Sequence, residues 1–257
     1  MSRLLHAVSV AFLAMSCLSV AEPDTNFHVY LLVGQSNMAG RGKVDEESRK
    51  EHPRVMMLTK DMQWVTATDP LHFDKPGAGV GPGLAFGKVM ADANTKVKIG
   101  LVPCAVGGTS IKVWMPGAQD KVTKAFPYDD MLKRMKETQK AGVLKGIIWH
   151  QGEADRGSAE QYGCWLTELI ERLRKDLDVP GAPFIASELT PFKEESAAST
   201  KKFNEVVKGL SGQVKCYACI KSDGLGHKGD NLHYSSEAAR ELGKRYAAKM
   251  LELQKQP

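Results

Sequence analysis

No two histidines stand at His-x-x-x-His spacing in this chain, its carboxylates nowhere form a dense cluster, and the CxxC at Cys216 and Cys219 has no second copy. A structural zinc takes four Cys or His ligands, and a catalytic zinc three plus an open position. Neither set is supplied here, so no metal and no other cofactor is expected. Long apolar runs are scarce as well. The stretch at residues 4–20 is interrupted by His6, Ser9, Ser16 and Ser19, and it falls short of the ~20 strongly apolar residues that a spanning helix needs. Charge of one sign is not concentrated: 35 lysines and arginines against 30 acids leave a formal net charge of +5, spread along the chain. A nucleic-acid surface gathers its basic residues into a patch or stripe, so nucleic acid is not an expected partner. There is no internal repeat, no low-complexity tract and no interdomain linker.

What the N-terminus does contain is Arg3, the apolar stretch 4–20, and Ser19-Val20-Ala21 with small residues at both positions that a signal peptidase reads. This pattern is a secretory leader, so residues 1–21 are expected to be a signal peptide and the protein to be secreted or periplasmic. Membrane association beyond the export signal is not expected. Lipid attachment at Cys17 is the less favoured alternative, because Ala14-Met15-Ser16 lacks the usual leucine. Residues 22–257 then form a single domain. Cys104, Cys164, Cys216 and Cys219 remain in it. Export permits disulfides, but a strand over 214–220 would turn Cys216 and Cys219 to opposite faces. They read as core or incidental cysteines, with one disulfide as the alternative.

Apolar, strand-like runs recur at 27–33, 97–102, 146–149, 183–187 and 214–220, with a possible extra strand at 54–58. Between them lie helical patterns at 84–93, 128–140, 158–177 and 197–210, and a last helix follows Ser235-Ser236. Strands alternating with helices of this length predict an α/β fold, a mainly parallel sheet with helices on both faces. In such sheets ligands bind beyond the carboxyl ends of the strands.

Three islands fall at such positions: Gly34-Gln35-Ser36-Asn37, His150-Gln151-Gly152-Glu153 and Asp230-Asn231-Leu232-His233. A serine hydroxyl is a weak nucleophile until a base takes its proton, and an imidazole is a dependable base when a carboxylate fixes its tautomer. Ser36 is thus the candidate nucleophile, His233 the base and Asp230 its orienter, with Glu153 as a second carboxylate competing for that role. Cys104-Ala105-Val106-Gly107-Gly108-Thr109-Ser110 follows a strand and offers a backbone N–H, at Gly107 or Gly108, to an oxyanion. The Gln151 amide is a side-chain donor for the same purpose. Trp149 and His150 are expected to support their loop, and some of Trp114, Met115 and Trp149 to wall a small acyl pocket.

LLVGQSNMAG, AVGGTSIKVW, IIWHQGEAD and GDNLHYS resemble blocks I, II, III and V of the SGNH hydrolase superfamily. More narrowly, they resemble its carbohydrate esterase family 6 and sialate O-acetylesterase-like branch. The motifs frame residues 27–236. The resemblance implies a flavodoxin-like, three-layer α/β/α sandwich and a triad on Ser36, His233 and Asp230. It also implies an oxyanion hole from the Ser36 N–H, a block II glycine, Gly108 in preference to Gly107, and the Gln151 side chain. The function expected is a secreted serine esterase that takes O-acetyl groups from a carbohydrate such as acetylated xylan or sialic acid. A lipid-deacylating relative and a non-catalytic carbohydrate-binding protein are the alternatives.

Overall fold

β1 (Asp24–Gly34) places Val29, Leu31 and Val33 on one face and Tyr30 and Leu32 on the other, and none of the five is accessible to solvent. A strand apolar on both faces requires cover on both. The computed structural model, which describes residues 22–255, supplies it. The leader expected at 1–21, with Cys17, lies outside the described residues.

Around β1 the strands β2 (Val55–Leu58), β3 (Trp64–Thr66), β4 (Lys98–Pro103), β5 (Gly142–His150), β6 (Phe184–Ser187) and β7 (Tyr217–Ile220) complete one seven-stranded sheet. Their order is β3-β2-β4-β1-β5-β6-β7. Every pairing is parallel except that of β2 with β3. Without the β2–β3 edge, the order reads second-first-third-fourth-fifth, the flavodoxin-like winding. The chain reverses direction across the sheet at β1, between β4 and β5, so a crevice opens above the carboxyl ends of these three strands.

After the single turn α1 (Ser36–Ala39), the helices are α2 (Pro82–Ala93), α3 (Pro127–Thr138), α4 (Ala159–Asp176), α5 (Ala197–Gly209) and α6 (Ser236–Leu253). Met131, Leu166, Ile170 and Phe203 of α3, α4 and α5 pack with Val29 and Leu31. Phe86, Leu242, Tyr246 and Met250 of α2 and α6 pack with Tyr30 and Leu32 on the opposite face. This is the three-layer sandwich expected. Each fully buried large apolar side chain contributes ~1.5–3 kcal/mol, so the two cores hold the sheet as a rigid platform. Pro127 opens α3 with Asp129 and Asp130 in its first turn, and the Ser235 hydroxyl caps α6 by accepting from the Ala238 N–H.

One local expectation is corrected. The last strand starts at Tyr217 rather than 214, because Cys216 takes a positive φ of 50° and breaks the extended run. Cys104, Cys164, Cys216 and Cys219 are all free, so the alternative of a disulfide is not realised. Burial pushes the Cys104 thiol up to about 11 and that of Cys219 up to about 12. No helix among the described residues is long and apolar enough to cross a membrane.

Candidate active site

β1 ends where it runs closest to the end of β5. At Gly34, φ is 131° and a Cβ would fall 2.1 Å from the His150 carbonyl oxygen, so only glycine lets the two strand ends approach. The next N–H, of Gln35, donates to that same oxygen at 2.9 Å. The Met38 and Ala39 N–H groups then both donate to the Gln35 carbonyl, closing the turn that lifts Ser36 above the sheet. As the first residue of α1, Ser36 has no acceptor for its backbone N–H within the helix.

His233 reaches Ser36 from the loop before α6. The Ser36 hydroxyl donates to His233 Nε2 at 3.2 Å, and His233 Nδ1–H donates to Asp230 Oδ2 at 2.7 Å, the tautomer being assigned from this network. The three-residue spacing works because Asp230 Oδ1 also accepts the N–H groups of Leu232 and His233 at 3.1 and 2.8 Å. One carboxylate thereby shapes the loop and orients the ring. Partial burial would raise the Asp230 carboxyl, but the N–H groups of His233 and Leu232 and the His233 ring outweigh it. The group is held well below the usual carboxylate range.

Glu153 is elsewhere. Its Oε1 accepts from Asn37 Nδ2 at 2.6 Å and lies 3.6 Å from His150 Nε2, an electrostatic contact beyond hydrogen-bond range. Burial would raise this carboxyl too. The His150 ring and the Asn37 amide more than offset that and keep it below its ordinary value. Asn37 carries the connection onward, donating to the Leu232 carbonyl and accepting from the Tyr234 N–H, each at 3.2 Å. Glu153 therefore braces the His233 loop from below, and Asp230 is the carboxylate on the ring.

On the other side of Ser36, the loop after β4 brings up its glycines. The Gly107 N–H is taken by Asp74 Oδ2 at 2.8 Å, and Asp74 is itself paired with Arg41 at 2.6 Å. The Gly108 N–H, at a residue whose φ of 82° favours glycine, has no acceptor among the described residues. Between the two block II candidates, geometry leaves Gly108 free.

Gln151 departs from expectation. It is only 2% exposed, and its Nε2 lies 2.6 Å from Asp155 Oδ2, 3.0 Å from the Thr109 carbonyl and 3.1 Å from Gln35 Oε1. Its Oε1 accepts from the Tyr162 hydroxyl at 2.8 Å. An amide has two N–H donors, so both are engaged within the protein and neither is left for an oxyanion. The acyl-pocket expectation also needs correction. Trp114 and Trp149 are sealed in the core, edge to face at 5.2 Å, while Met115 faces solvent. Trp114 Nε1 donates to Thr109 Oγ1 and Trp149 Nε1 to Tyr162, so the two rings support the loops from beneath. Sequence reasoning passed over Asn37 and Asp155. Asn37 lies inside the first island and Asp155 ends the IIWHQGEAD motif, and those positions were the available signal.

Beside Asn37 and Leu232 opens a small cleft, whose lining sets Glu153, Arg156, Lys193 and Asn231 beside Phe192 and Tyr234.

Residues 26–252 match the family described as carbohydrate esterase, sialic acid-specific acetylesterase. A protein of Arabidopsis thaliana named as a probable carbohydrate esterase is 34% identical over an alignment of 247 positions that covers 87% of this chain and 90% of that one. The solved structure of an Arabidopsis protein, also 34% identical, superposes with a TM-score of 0.76 over 89% of this chain and 99% of its own. A carbohydrate acetylesterase from Xanthomonas citri, 20% identical, shares the fold with a TM-score of 0.67 over 85% of this chain and 55% of its own.

Proposed function

Since the chain belongs to the carbohydrate esterase, sialic acid-specific acetylesterase family, we propose that it removes O-acetyl groups from a carbohydrate by a serine mechanism, with Ser36 as nucleophile. The observation that carries this reading is the continuous relay from the Ser36 hydroxyl through both nitrogens of His233 to Asp230, at 3.2 and 2.7 Å. As Ser36 Oγ attacks the acetyl carbonyl carbon, its proton passes to His233 Nε2. Asp230, kept ionised by its N–H donors, stabilises the imidazolium that results. The oxygen of the tetrahedral intermediate is met by the N–H groups of Ser36 and Gly108. Collapse expels the sugar oxygen, which takes the proton from His233. Water attacks the acetyl-enzyme by the same relay in reverse, and acetate leaves.

Export rests on the leader read in residues 1–21 and forms part of this proposal. The test is to measure acetate release from acetylated xylan, acetylated sialic acid and short p-nitrophenyl esters side by side, with the Ser36→Ala variant as control. Acetate from at least one acetylated carbohydrate, lost in the variant, is the expected result. Hydrolysis confined to long-chain esters would reject a carbohydrate substrate.

A further inference from the structure

We propose that Asp155 is a positioning residue of the oxyanion site, tying the loop after β4 to the loop after β5 through a single buried carboxylate. The inference rests on the serine-esterase reading above. Asp155 is 7% exposed. Its Oδ1 accepts the Ser110 hydroxyl at 2.5 Å, and its Oδ2 accepts the Ile111 N–H at 2.8 Å and Gln151 Nε2 at 2.6 Å. Its own backbone is fixed by the turn in which its N–H donates to the Gly152 carbonyl at 2.8 Å. Removing a carboxylate from water is costly unless its oxygens are fully used, and here three donors from two separate loops converge on it.

What they hold matters more than their number. Through Gln151, the Asp155 carboxylate reaches the Thr109 carbonyl and Gln35 Oε1. Thr109 follows Gly108 and Gln35 precedes Ser36. Each of the two backbone N–H groups assigned to the oxyanion is therefore one residue from a group that Asp155 fixes through Gln151. Neither donor touches Asp155, which acts only on their separation and aim. A donor displaced from the developing charge loses most of its value in the transition state while substrate binding is little affected. Asp155→Asn would set an amide N–H against the Gln151 or Ile111 donor and so release this clamp.

The experiment counts reactive serines with a fluorophosphonate probe and measures p-nitrophenyl acetate turnover per reactive site for wild type, Asp155→Asn, Ser110→Ala and the double variant. Asp155→Asn should lower kcat per reactive site by about thirtyfold or more, with KM within about threefold. Ser110→Ala, which removes one of the three donors, should lower kcat by about three- to tenfold and add little to Asp155→Asn in the double variant. If Asp155→Asn does not fold, the Ser110→Ala result decides alone, and an unchanged kcat overturns the inference. A folded Asp155→Asn within about threefold of wild-type kcat per site also overturns it, as does a loss explained wholly by fewer reactive serines. If the wild type shows no Ser36-dependent ester hydrolysis, the reading of the function falls together with the inference.

Discussion

Asn37 and Glu153 are joined at 2.6 Å, side chain to side chain, across 116 positions of sequence, and that bond anchors the loop carrying His233. From Glu153 the connection runs through Asn37 to the Leu232 carbonyl and the Tyr234 N–H, one residue on each side of the histidine. The two acids of the site are thus separable by experiment. Asp230→Asn removes the negative charge that fixes the His233 tautomer and stabilises its imidazolium, and should cost on the order of 10³–10⁴ in kcat. Glu153→Gln keeps an acceptor for Asn37 and should cost about tenfold or less, since hydrogen-bonding capacity is largely retained. Steady-state kinetics of the two variants decides the matter, and the reverse ordering would assign the ring to Glu153.

Asp69 yields a stability prediction away from the site. It is buried, its Oδ1 has no partner among the described residues, and burial pushes its carboxyl up to about 7. Between the ordinary carboxylate value and pH 7, the folded protein holds a proton on Asp69 that the unfolded chain has already released. The contribution of this group to stability therefore falls as pH rises through that window, by roughly 1.4 kcal/mol per unit, and levels off above it. Asp69→Asn should be more stable relative to wild type at pH 8 than at pH 4.5. Thermal melts at both values measure this, and a difference independent of pH would contradict it.

Acyl-chain selectivity follows from the surroundings of Ser36. Trp114 and Trp149 are committed to the core and give Ser36 no aromatic acyl wall, and the cleft beside Asn37 sets Glu153, Arg156 and Lys193 beside Phe192 and Leu232. A longer acyl chain would forgo the ~0.8 kcal/mol that each buried methylene gains in an apolar groove. Two carbons that find no apolar contact should lower kcat/KM by about tenfold, one decade being ~1.4 kcal/mol. Rates for esters of one alcohol should fall from acetyl to butyryl to octanoyl. A rise toward octanoyl would indicate a lipid substrate.

Features set by local chemistry were legible in the sequence. Gly34 before Ser36 and the Asp-x-x-His turn are short-range patterns, and the mainly parallel sheet follows from strands alternating with helices, whereas its flavodoxin-like winding was implied by the resemblance of the motifs. Gln151 was legible as a site residue but not in its bonding, because its partners Gln35 and Thr109 come from two other strand ends and meet it only in the folded sheet. Trp114 and Trp149 suggested a pocket wall because a large aromatic near a motif reads alike whether it faces the cleft or the core. Packing against the α3–α5 layer decided for the core. The β2–β3 edge was only half visible, since a three-residue strand such as Trp64–Thr66 is too short to show a period.

The central claim is that acetyl transfer passes through Ser36, and the most direct measurement is acetate release from an acetylated sugar by wild type and by Ser36→Ala at equal folded concentration. The account predicts release by the wild type and a loss of kcat on the order of 10⁴ or more in the variant, with unchanged melting behaviour, because nucleophile and base act as one unit. A folded Ser36→Ala protein that kept more than about a tenth of wild-type kcat would contradict it.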